Sequence, residues 1–154
     1  MTATETSLSS TSGKVVGPGW TREVVTATAI IAMTTAMIDN VDDDVGLFYL
    51  PAGAVIVGAA ISATDMDTHG TPTLAIDVGD SGDEDRIFAA STVGQAGTYS
   101  NAMARTAHLY KYTAKTQIRA YIQAVSATGA AGTLTVSVSY FVDPDFSTTA
   151  LVAA

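Results

Sequence analysis

Cysteine is absent from the 154 residues of this chain. That excludes disulfides, thiolate metal sites and a cysteine nucleophile in one step. Aromatic residues make up only 7%, with a single tryptophan at Trp20, so there is no stacked aromatic platform of the kind glycoside hydrolysis uses. Lys and Arg number 7 against 15 Asp and Glu, giving a net charge of −8 and a pI near 4.3. Nucleic-acid binding is therefore not expected, because phosphate contacts need cationic side chains. Long apolar runs are missing too. Gly53–Ile61 is typical, far short of the roughly 20 residues a membrane-spanning helix needs. Met1–Trp20 has neither the basic start nor the apolar stretch of a secretory signal, so synthesis in the cytoplasm is expected.

What is present is small and β-branched. Hydrophobic residues reach 47%, much of it Ala and Val, and Thr, Ser and Gly fill much of the rest. Such side chains suit a pleated surface. At this length the chain is one domain, able to bury about two thirds of its unfolded surface.

Alternation supports the same class. Thr133–Val142 sets Leu134, Val136, Val138, Tyr140 and Val142 against Thr133, Thr135, Ser137, Ser139 and Phe141. Gln117–Val125 does the same with Ile118, Ala120, Ile122 and Ala124 on one side. Period two over such lengths predicts strands. Further strands are predicted at Glu23–Ala32 (two-sided), Val45–Leu50, Gly53–Ser62 (with a bulge at Gly58), Thr71–Val78, Arg86–Ser91 and His108–Thr113. Val93–Arg105 has no period and reads as a long loop. About eight strands, no amphipathic helix and no internal repeat predict an all-β fold: a single-domain antiparallel β-sandwich, jelly-roll-like, with extended N- and C-terminal arms. The expected boundaries are an arm over 1–20, the sandwich over 21–143 and a tail over 144–154. The arm, rich in Ser, Thr and Gly, has almost nothing to bury by itself and is expected to be held by a partner subunit.

Charge is segregated along the chain. From Asp39 to Asp85 there are eleven acidic residues and no Lys or Arg; from Arg86 to Arg119 there are five basic residues and no acidic one. Two faces of opposite sign would suit head-to-tail contact between copies, whereas folding that mixes the segments would leave only solubility.

Candidate chemistry is sparse. The loop Asp77–Asp85, DVGDSGDED, has the ligand type for calcium but lacks EF-hand spacing, and equally reads as a solvated hairpin loop. Asp65, Asp67 and His69 alternate and would share a side on an extended segment, as a weak metal pattern or as a polar rim. A triad has only His69 and His108 to draw on, without a G-x-S-x-G elbow, and His108 beside Tyr110 and Tyr112 reads as a packing residue. Tyr99, Tyr110, Tyr112, Tyr121, Tyr140, Phe141 and Phe146 read as core or cross-strand pairs before a ligand groove. No catalytic, cofactor-binding or metal-binding residue is assigned, and an enzyme is not expected.

Three runs carry a resemblance: LPAGAVIVGAAISATD, PTLAIDVGDSGDEDRIFAAST and IRAYIQAVSATGAAGTLTVSVSYFVD. A strand after LPAG, an acidic VGD hairpin loop and a closing G-x-L-x-V-x-V-x-Y strand resemble small virion structural proteins of tailed bacteriophages. The resemblance covers Val45–Asp143 and is architectural, so it carries over no functional residue. It implies a head decoration (cement) protein or another accessory structural protein of the particle; the expected role is decoration of the capsid surface as a homotrimer, with the major capsid protein and its own copies as partners. The alternative in the same class is a tail- or fibre-associated protein that binds a host glycan.

Overall fold

Side chains that alternate between small polar and branched apolar build a sheet with one dry face, and two such sheets hide those faces against each other. The computed structural model describes residues 23–143. The arm expected over 1–20 and the tail over 144–154 lie outside the described residues. Eight strands run in chain order: β1 (Val25–Met33), β2 (Asp44–Leu50), β3 (Ala54–Ala63), β4 (Ala75–Asp80), β5 (Asp83–Ser91), β6 (Tyr99–Ser100), β7 (Thr116–Ala124) and β8 (Gly132–Val142). Short 3-10 turns at Thr35–Met37 and Val93–Gln95 are the helical elements among the described residues.

One sheet has the order β1-β8-β3-β6 and the other β2-β7-β4-β5. The first strand pairs with the last, the second with the seventh, the third with the sixth and the fourth with the fifth, all antiparallel. That nested pairing, folded over so that neighbours alternate between sheets, is the jelly roll.

The interior is aliphatic. Leu134, Val136 and Val138 of β8 and Ile56 and Ile61 of β3 meet Ile118 and Ile122 of β7 and Ile76 and Val78 of β4. The largest fully buried side chains include no aromatic ring. Complete burial of each Ile, Leu or Val side chain stabilises the fold by about 1.5–3 kcal/mol, so many branched chains replace the few rings a richer core would use.

The expected strands at 117–125 and 133–142 form within a residue of their predicted ends. A register shift between Ile56 and Gly58 marks the bulge expected at Gly58. Three expectations need correction. The strand predicted at Glu23–Ala32 is not two-sided: it is an edge strand with Thr26, Thr28 and Ile30 open on its outer face. His108–Thr113 is not a strand, because Leu109 sits at φ 59, in the left-handed region, and breaks the extended path. The segment instead crosses the outer edge of β3 by backbone bonds from Ile56 N–H to Tyr110 C=O and from Tyr112 N–H to Ala54 C=O. The loop expected over Val93–Arg105 contains the two residues of β6, which pair with β3 at Ile61 and Ser62.

Candidate assembly surface

Asp67 shows first how the acidic residues are engaged with their own chain. It lies 1% exposed, turned away from exposed Asp65 and His69, so the shared side expected from their spacing does not form. Its carboxylate accepts four backbone N–H bonds, from Thr73 (2.7 Å), Leu74 (3.0 Å), Ala127 (3.0 Å) and Thr128 (2.9 Å). Burial pushes the Asp67 carboxyl up, but the N–H groups of Thr128, Ala127, Thr73 and Leu74 outweigh it and hold the group far below the usual carboxylate range. Asp65 caps its own turn by accepting the Asp67 N–H, and His69 Nδ1 closes a turn with Thr71. Among the described residues there is no group of three His, Asp or Glu arranged to hold a metal ion.

The acidic hairpin between β4 and β5 is also engaged with its own chain. Asp80 is 5% exposed and accepts from Arg86 Nε (2.6 Å), Gly82 N–H (2.8 Å) and the Tyr112 hydroxyl (2.9 Å). Burial opposes its charge, and these three donors, Arg86 first, bring it below the usual range. The Arg86 guanidinium lies 3.9 Å from the centre of the Tyr110 ring, which meets Tyr112 edge-on at 5.0 Å. Asp77 accepts the Ala90 N–H at 2.5 Å. Glu84 and Asp85 are the exposed acids of the hairpin, and Asp83 sits part-way, 3.3 Å from Arg86.

The two charge blocks therefore meet inside the molecule. Arg86 pairs with Asp80 and Asp83, and Arg119 pairs with Asp44. Of the two alternatives left open by the order along the chain, these pairs fit the one in which folding mixes the segments. The aromatics likewise serve packing at Tyr110, Tyr112 and Tyr121, while Tyr49 lies under Lys115 and Tyr99 is open. Phe146 lies outside the described residues. His108 is exposed rather than packed among the tyrosines, since the Leu109 turn throws it outward.

What the fold presents is surface. The outer face of β1 and β8 is a low plain of hydroxyls, with Thr26 Oγ1 2.8 Å from Ser139 Oγ and Thr28 Oγ1 2.9 Å from Ser137 Oγ. Ile30 stands in that plain 71% exposed, and Val24 and Val25 are exposed where the strand begins. Exposed hydrophobics standing singly are ordinary, and among the described residues no strand lies beyond β1 on this edge of the sheet. Two hollows flank it. One of about 230 Å³ lies under the β1–β2 connection beside Met33, Met37 and Val45. The other, about 640 Å³, follows the outer edge of β3. The sequence pointed to neither, because both arise where loops fail to cover a strand.

Solved structures similar to this chain include chains of virus particles. The chain is similar to one in the cyanophage Pam1 capsid asymmetric unit, at 35% identity and a TM-score of 0.69, over 84% of this chain and 94% of that one. It is similar to a chain of the capsid of Ralstonia phage GP4 at 32% identity and a TM-score of 0.68, over 79% of this chain and 85% of that one. A chain in the acid-stable capsid of Helicobacter pylori bacteriophage KHP30 shares the fold, with a TM-score of 0.52 at 18% identity over 79% of this chain and 89% of that one. No protein-family profile and no curated protein sequence matches the chain. The class is that of a jelly-roll structural protein of the bacteriophage virion. Within it, the chain belongs to the family of phage capsid proteins that includes the Pam1 and GP4 chains.

Proposed function

We propose that this protein is a non-enzymatic decoration protein, which binds the outside of the assembled capsid as a homotrimer and stabilises it across capsomer boundaries. The observation that carries the reading is the likeness, over nearly the full length of two capsid chains, of a domain this small. A sandwich of this size adds contact to a shell. Its chemistry agrees: the buried carboxylates are spent on backbone N–H groups and on Arg86, and the outer face of β1 and β8 is a shallow hydroxyl plain with Ile30 exposed in it.

At about 25 cal/mol per Å² of apolar area, even small contacts repeated over many copies add up to a large gain for the particle. Ordering costs keep each single contact modest. The test compares heads with and without the protein on heating and in low salt. Undecorated heads are expected to lose their DNA at lower temperature, and readdition of the protein is expected to restore the higher one. Equal resistance of the two kinds of head ends the reading. The mass of the free protein by light scattering, three times 15.7 kDa, tests the trimer separately.

A further inference from the structure

Among the described residues, the outer edge of β3 is covered at both ends and bare in the middle. At one end Leu109 to Tyr112 bond to Ala54 and Ile56; at the other β6 pairs with Ile61 and Ser62. Pairing on this edge stops at Ile56 and resumes at Ile61. The Ala63 N–H donates to Thr98 C=O on this side, so by alternation along the strand Ala59 turns its own N–H and C=O to the same edge. They point into the 640 Å³ hollow, whose floor is Val57, Gly58 and Ala59 and whose far wall carries Met103, Arg105 and His108. Gly58 is open above: a Cβ placed there would meet nothing within 4 Å. A bare strand edge of about 13 Å beside a walled trough accepts one extended peptide segment, and a whole sheet would strike the wall.

We infer that this trough receives the segment 144–154 of a neighbouring copy as an added strand, so that copies are locked together by exchanged tails. The inference rests on the decoration reading above and names the contact that would join its copies. Three observations select this occupant. The segment, PDFSTTALVAA, carries Thr148, Thr149, Leu151 and Val152, residues that pair well in sheets, and extended it reaches up to about 36 Å. Its acid, Asp145, suits the exposed guanidinium of Arg105 on the rim. Geometry favours exchange over a return to the same chain. The Asp143 N–H is bonded to Gly53 C=O at the start of β3, on the far side of the strand from the trough. Between that point and its own trough the edge is already occupied by Leu109 to Tyr112. Pro144 has no N–H with which to continue the β8 ladder.

The absence of cysteine makes the test direct. Full-length chains carrying G58C alone are mixed with chains carrying T148C, T149C or A150C alone, oxidised, and separated without reductant. The trial is run free and on undecorated heads, with co-sedimentation scored in parallel. The expected result is a covalent dimer containing one chain of each kind, and none when I30C replaces G58C. No mixed dimer from any of the three positions overturns the inference. So does a bond formed only within doubly substituted chains, or a G58C link to another head protein. If the chains co-sediment with heads but do not link, tail exchange fails while decoration stands. A second variant, Gly58→Leu, fills the open space and is expected to keep the melting temperature of the parent while self-association weakens by roughly tenfold or more. Unchanged association of that variant would also overturn the inference.

Discussion

Asp67 and Asp80 are both buried carboxylates, and the molecule satisfies them in opposite ways. Asp67 meets only neutral donors: four backbone N–H groups, two from Thr73 and Leu74 and two from Ala127 and Thr128, a second loop far along the chain. Asp80 meets a cation, Arg86, together with a hydroxyl and one N–H. The first arrangement ties loops together and cannot be replaced by charge; the second is a local ion pair within one hairpin, with Tyr112 reaching in from outside. The lesson is that a carboxylate ringed by N–H groups staples backbone, whereas one facing a guanidinium orients side chains.

Substitution separates the two. Asp67→Ala leaves four inward-facing N–H groups without an acceptor, and at about 1–3 kcal/mol for each buried unsatisfied group, with water relieving part, a loss of about 4 kcal/mol is expected in urea unfolding. A loss under about 1 kcal/mol would show that water replaces the carboxylate freely. Asp80→Ala leaves Arg86 nearly buried without its main partner, and about 3 kcal/mol is expected, with Asp83 partly compensating. Acid should act on both residues with the same sign. Their folded pKa values are depressed, so their contribution is complete above the unfolded value near 4 and is lost as the pH falls through the folded values. Asp83 and Asp77 run the other way. Hydrogen bonding to Asp85 raises the first and burial raises the second, so protonating them favours the fold. Chemical unfolding followed from pH 7 down to 3 should therefore stay level before it drops below about pH 4. A steady decline from pH 7 would contradict these assignments. The smallest effect is expected at Arg119→Ala, whose pair with Asp44 is about a third exposed and worth less than about 1 kcal/mol.

The comparison also marks what can be read from residues alone. The sandwich was legible in Gly132–Val142 and Thr116–Ala124, because period two needs no knowledge of partners. Asp67 was not legible: its donors come from Ala127 and Thr128, and no local pattern announces them. Asp80 stood in plain view as part of an acidic run, yet it needed the hairpin register, which sets Asp80 opposite Asp83, to bring Arg86 against it. The same register removed the apparent segregation of charge. Tyr99–Ser100 is too short to carry a period, and the alternating look of His108–Thr113 misled because one residue, Leu109, leaves the extended region. The trough on β3 was invisible for a related reason: it is a gap, and a gap has no sequence of its own.

The nested strand order also governs how the molecule comes into being. The β4–β5 hairpin closes over a two-residue turn, whereas the β1–β8 pair joins Thr26 to Ser139, 113 positions apart. Loop closure of that length is slow relative to local pairing, so the ribbon is expected to zip outward from its middle and to seat β1 last. Until β8 has left the ribosome, β1 has no partner in its sheet, and a chain halted at residue 124 should protect β4 and β5 amides from exchange while leaving those of β1 open. Each copy thus stays unfinished, its first strand unplaced, until β8 has been made.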